Sequence, residues 1–168
     1  MASGYREVQR LHPALRVLIA VSCLAAGVAP LAAMLAMGGM PARGAPPPVW
    51  LVLVLFAVFG LAFPALMIHV MRLEVEVRED ALYVRFVPLR TRRIPYSSIL
   101  RCEACAYRPI RDYGGWGIRW GGRRNWAYTM RGDRGVRLTL DGGHRLLVGS
   151  QTPEDLARAI EEKRTRLP

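Results

Sequence analysis

Cys102 and Cys105, spaced as Cys-Glu-Ala-Cys, and His144, just after an Asp-Gly-Gly turn, are the side chains best suited to covalent or metal chemistry. Two thiols at this spacing make half a zinc knuckle, and a cysteine with a histidine is the smallest unit for an activated thiolate. The sequence has no second CxxC and no HxxxH to complete four ligands, and on a strand residues three apart point to opposite faces. Cys23, His12 and His69 fall in or beside long apolar runs. The paired carboxylates Glu79–Asp80, Glu154–Asp155 and Glu161–Glu162 fit a turn, a helix start and a solvated helix face. The expectation is a protein that is not an enzyme and holds no metal and no cofactor. An enzyme or redox accessory using Cys102, Cys105 and His144 is the alternative.

Binding chemistry is better represented. The run RDYGGWGIRWGGRRNWAYTMRGDR, residues 111–134, interleaves arginine, glycine and aromatic residues. With Gly121 to Asn125 as a hairpin loop, Trp120 opposes Trp126, Ile118 opposes Tyr128 and Trp116 opposes Met130, so the large groups share one face and core packing is their leading reading. Arg123 and Arg124 at the tip, with Trp120 and Trp126 behind them, suit an anionic headgroup surface, and Arg90, Arg92 and Arg93 in PLRTRRIP form a second basic loop. These seven residues are the candidate lipid or partner contacts. No helix-turn-helix, zinc-finger or RNP motif supports nucleic acid, GGWGIRWGG lacks the ending of a P-loop, and Arg-Gly-Asp at 131–133 reads as a chance tripeptide in a turn.

The elements that must carry these residues divide by composition. The chain has 168 residues and a formal charge of +11 with 52% apolar residues, yet up to Met71 its only charges are Arg6, Arg10, Arg16, Arg43 and Glu7. Ala14 to Gly38 and Val49 to Met71 are apolar runs longer than the ~20 residues that cross a hydrocarbon core. They read as two transmembrane helices in a hairpin, packed through a small-residue stripe of Ser22, Ala25, Ala26, Ala29, Ala33 and Ala36. The expected organisation is a cytoplasmic segment 1–13, spans 14–38 and 49–71, an external loop 39–48 and a cytoplasmic domain 72–168. Arginine at both outer flanks, against Arg43 alone in the loop, orients the hairpin in a bacterial inner membrane as a multi-pass protein.

After residue 72 the pattern turns to β. LEVEVRE and LYVRFV alternate around a tight turn, and RRI, LRCEACAY, WGIRW, NWAYTM, GVRLTL and RLLVG bring the count to seven or eight short strands. TPEDLARAIEEKR then reads as a terminal helix with Thr152 as N-cap, Pro153 at the first helical position and an apolar face of Leu156, Ala159 and Ile160.

Two apolar runs followed by LEVEVREDALYVRFVPLRTRRIPYSSIL, YGGWGIR and GVRLTLDGGHRLLVGSQTPEDLARAI resemble uncharacterised bacterial membrane proteins that carry a pleckstrin-homology-like domain; RPIRDYGGWGIRW and RLLVGSQTPEDLA are the most specific parts. The resemblance implies a bent barrel or sandwich of about seven strands capped by a C-terminal helix, and it implies no activity. The expectation is therefore a membrane α-hairpin plus a mainly β soluble domain. Its role would be a membrane-anchored binding or scaffolding module that orients on anionic lipid or binds a membrane protein partner.

Overall fold

The computed structural model describes residues 5–36, 47–122 and 124–166, with backbone alone for 30, 31, 33–36, 47–54, 56, 57 and 61. In chain order the elements are β1 (Arg6–Arg10), α1 (Pro13–Ala36), α2 (Pro47–Val70), β2 (Arg72–Val77), β3 (Leu82–Val87), β4 (Arg90–Ile94), a 3-10 turn (Tyr96–Ser98) and β5 (Ile99–Ala106). They continue with α3 (Pro109–Tyr113), β6 (Gly117–Trp120), β7 (Asn125–Thr129), β8 (Arg134–Leu140), a second 3-10 turn (Asp141–Gly143), β9 (His144–Gly149) and α4 (Pro153–Thr165). The chain forms two compact units, Met1–Leu11 with Met71–Pro168, and His12–Val70.

The first unit is built on two sheets. One is an antiparallel meander in the order β1-β2-β3-β4, and the other runs β5-β8-β9-β7-β6 with β7 and β9 parallel. Alternation explains the meander: Leu73, Val75 and Val77 on β2 and Leu82, Val84 and Phe86 on β3 are buried, with Glu79 and Asp80 in a turn closed by Arg78 N–H donating to the Ala81 carbonyl at 3.1 Å. The opposite face is a charge ladder. Arg72 meets Glu74 at 2.6 Å, Arg85 reaches Glu74 at 3.8 Å and Glu76 at 3.7 Å, and Arg78 meets Glu76 at 2.8 Å while lying 4.7 Å above the Tyr83 ring. Arg72, Arg78 and Arg85 are thus occupied within the sheet's own surface.

The second sheet is covered on both faces. Val136, Leu138, Leu146 and Val148 share the side on which Leu156 and Ile160 of α4 are buried, and Leu147 and Ala127 lie on the other side under Tyr107. α4 packs against β5 and β8. Pro153 opens it as expected, but the Thr152 side chain makes no cap; its hydroxyl lies 2.9 Å from the Tyr5 hydroxyl instead.

Two expectations about the fold are corrected. Among the described residues nine strands form two open sheets and no closed barrel, so the pleckstrin-homology-like bent barrel or sandwich of about seven strands does not describe this unit. β4 and β5 are joined by a 3-10 turn rather than by continuous pairing, and β1, β4, β5 and β6 are left as edges. The strand not anticipated is β1, within the 1–13 segment; it pairs along β2 from Arg6 opposite Glu76 to Arg10 opposite Arg72.

The second correction concerns the membrane. In the second unit α1 and α2 pack on each other. The least exposed described positions of α1 between Leu15 and Gly27 are Leu15, Arg16, Ile19, Cys23 and Gly27, whereas Ser22, Ala25, Ala26 and Ala29 are exposed, so the small-residue stripe is not the contact face. Among the described residues no helix is long and apolar enough to cross a membrane. The membrane α-hairpin, the multi-pass inner-membrane location and the integral two-span membrane partner are withdrawn on this finding. Residues 37–46, with Arg43 of the expected external loop, lie outside the described residues.

Candidate functional site

The expected contact residues are scattered. Trp120 and Trp126 are cross-strand partners on β6 and β7, but Trp120 is 65% exposed while Trp126 is half-buried. Arg124 is not a free tip: at φ 62° its Nη1 donates to the Gly142 carbonyl at 2.7 Å and its own carbonyl accepts Arg145 N–H at 2.7 Å, fastening the β6–β7 loop to the β8–β9 turn. Arg123 lies outside the described residues. Arg90, Arg92 and Arg93 sit on edge strand β4 rather than in a loop, opposite Phe86, Val84 and Tyr83. Arg93 is paired with Asp80 at 3.2 Å, where the Tyr83 hydroxyl, and after it Arg93, hold the Asp80 carboxyl below its ordinary range against desolvation. The two basic groups belong to different sheets, and among the described residues no ion pair or hydrogen bond joins them.

The cysteines are arranged as their spacing on a strand requires. Cys102 faces α4, with its Sγ 4.0 Å from the Ala157 carbonyl, and Cys105 packs with Tyr107, Ala127 and Leu147 on the other side of β5. Burial, and then Glu161, push the Cys102 thiol up to about 12, and burial raises Cys105 as well. Neither is poised as a thiolate. His144 is exposed at the start of β9, and among the described residues no cluster of three potential metal ligands occurs.

The site that the structure does assemble was not anticipated. A cleft of about 540 Å³ is lined by Val8, Gln9, Arg10, Arg131 and Gln151. One wall is β1, and the other is the paired C-terminal ends of β7 and β9, which lie side by side because those strands are parallel. Arg131 donates to Gln151 Oε1 at 3.3 Å across this second wall. Neither Arg10 nor Arg131 has a carboxylate partner among the described residues.

β1 is fixed in place by Glu7. Its carboxylate accepts the Tyr5 hydroxyl at 2.6 Å, the Ser150 hydroxyl at 2.6 Å, Gln9 Nε2 at 2.9 Å and Gln151 N–H at 2.7 Å. Burial, and then the bond to Glu7, raise the Tyr5 hydroxyl above its ordinary value. Gln9 is 2% exposed and donates also to the Gly149 carbonyl at 2.8 Å, which uses both amide hydrogens and leaves its Oε1 buried with no partner. An unmatched buried acceptor costs roughly 1–3 kcal/mol.

The first unit is thus mainly β, built of two sheets, with a cleft between a sheet edge and two strand ends. Residues 2–165 match a family of unknown function (DUF6141), and the chain belongs to that family. Searches of curated proteins and of solved structures returned no match.

Sequence reasoning missed Val8, Gln9, Arg10, Arg131 and Gln151. In the sequence Arg10 reads as a flank charge, and Arg131 as a residue of the hairpin's second face and of a chance tripeptide. No apolar alternation marks Tyr5 to Arg10, whose two faces read Tyr-Glu-Gln and Arg-Val-Arg, so β1 follows from its long-range pairing with β2 and had no local signal.

Proposed function

We propose that this protein is a binding module, not an enzyme, and that the cleft beside β1 takes a ligand offering an anionic group. The observation that carries the reading is the pair Arg10 and Arg131, both lining one cleft and neither matched to a carboxylate. Guanidinium groups bind carboxylate or phosphate through charge-assisted, often bidentate, hydrogen bonds. The remaining lining groups, Val8 and the amides of Gln9 and Gln151, do not exchange protons near neutral pH, which favours recognition over acid–base chemistry.

The test is calorimetric titration of the full chain at low salt with inorganic phosphate and with the hexapeptide acetyl-Glu-Val-Glu-Val-Glu-Val-amide, against its lysine counterpart. The acidic probes should bind, the lysine peptide should not, and Arg131→Ala or Arg10→Ala should weaken binding by about tenfold. Equal binding of acidic and basic peptides, or no effect of either substitution, contradicts the proposal.

A further inference from the structure

The backbone of β1 carries the same site further. Antiparallel pairs alternate between residues that exchange backbone hydrogen bonds and residues that do not. Val77 N–H donates to the Tyr5 carbonyl at 2.9 Å, so the register Glu7 opposite Val75 and Gln9 opposite Leu73 places Tyr5, Glu7 and Gln9 in the bonded set. The opposite side of β2 agrees: Arg78 N–H bonds to Ala81, which gives the even-numbered residues of β2 to β3 and the odd-numbered ones to β1. The N–H and C=O groups of Arg6, Val8 and Arg10 therefore point away from β2. β1 is the last strand of its sheet, and no partner occupies that side among the described residues.

The cleft lies along this open edge. It is lined by Val8, Gln9 and Arg10 of β1 on one side and by Arg131 and Gln151 on the other, so it lies beside this strand. We infer that the cleft accepts an extended acidic segment of a partner protein, which adds to the sheet as a strand beside β1. This rests on the proposed anion-binding reading and specifies its ligand. Main-chain groups of Val8 and Arg10 would pair with the incoming backbone, and Arg10 and Arg131 would meet its carboxylates.

Charge selects the occupant. A second copy of β1 paired antiparallel about Val8 would set Arg6 opposite Arg10, and like charges directly opposite are destabilising. Edge charges commonly serve only to block such pairing. At this edge there is in addition a second wall with its own arginine, Arg131, which has no carboxylate partner among the described residues. A bound acidic peptide uses that feature, and a merely protected edge does not need it.

The decisive variant is Val8→Pro in the full chain. It deletes one outward N–H, and proline is tolerated on an edge strand where its nitrogen faces away from the ladder. Its folding is checked by circular dichroism and a melting curve. The probe is again acetyl-Glu-Val-Glu-Val-Glu-Val-amide, together with two versions N-methylated either at every glutamate or at every valine. Strand addition predicts that Val8→Pro weakens peptide binding by about tenfold or more. It predicts also that one methylated peptide binds and the other fails, because only alternate N–H groups of a strand face its neighbour. The methylated pair keeps the test decisive if Val8→Pro does not fold. If both methylated peptides bind like the parent, strand addition is overturned; the anion site stands if Arg131→Ala still weakens binding. If neither the peptide nor phosphate binds the native chain, both proposals fall.

Discussion

Glu7 is the residue on which the position of β1 depends. Four donors converge on its carboxylate, from Tyr5, Gln9, Ser150 and the Gln151 backbone, and Ser150 is fully buried. Glu7→Ala removes the acceptor these four donors share and should cost about 2 kcal/mol in urea unfolding, whereas Glu7→Gln, which keeps one carbonyl oxygen, should cost less. Cys102 gives a second expectation. Its thiol, raised from 9.0 to about 12 by burial and then by Glu161, favours the folded state while it is neutral. That contribution is complete below pH 9.0 and is lost as the pH rises towards about 12. At pH 8 a disulfide reagent should therefore leave Cys102 unmodified in the folded chain and react with it only after denaturant is added.

At the scale of elements, the β6–β7 hairpin separates what alternation reveals from what it hides. The pairings of Trp120 with Trp126 and Ile118 with Tyr128 were legible from the mirrored strands and the glycine-flanked loop. Burial was not, because it depends on which strand lies next. β7 is interior, between β6 and β9, and both its faces are covered, so Ala127 and Thr129 are as buried as Tyr128 and Met130. β6 is an edge, so Trp120 stays exposed although its neighbour in the same pattern is not. Tyr128→Ala should destabilise the protein by about 3–5 kcal/mol, and Trp120→Ala should fall within about 0.5 kcal/mol of the parent; denaturant titration of the two variants distinguishes them. The parallel alignment of β7 with β9 had no local signature. It comes from long-range pairing, and it is what sets Arg131 beside Gln151 at the cleft. Thr152 shows the same limit, since its capping sequence is intact but Tyr5, from the other end of the chain, takes its hydroxyl.

At the scale of the whole molecule, residues at the two ends of the sequence build one unit, with the helical unit inserted between β1 and β2. Composition divides the chain once, after the apolar runs, and so conceals a strand that belongs to the far side of them. A chain lacking residues 1–11 would lose β1, expose the odd-numbered backbone groups of β2 and leave Ser150 without Glu7. It should melt at a lower temperature and self-associate, as size-exclusion chromatography against the parent would reveal. The central claim, that recognition occurs in the cleft beside β1, is tested most directly by following backbone amide resonances of the first unit during titration of the full chain with acetyl-Glu-Val-Glu-Val-Glu-Val-amide. The prediction is that shifts concentrate at Val8, Gln9, Arg10, Arg131 and Gln151. Shifts that concentrate instead at Trp120 and Arg124, or along Arg90 to Arg93, with the cleft residues unmoved, would contradict it.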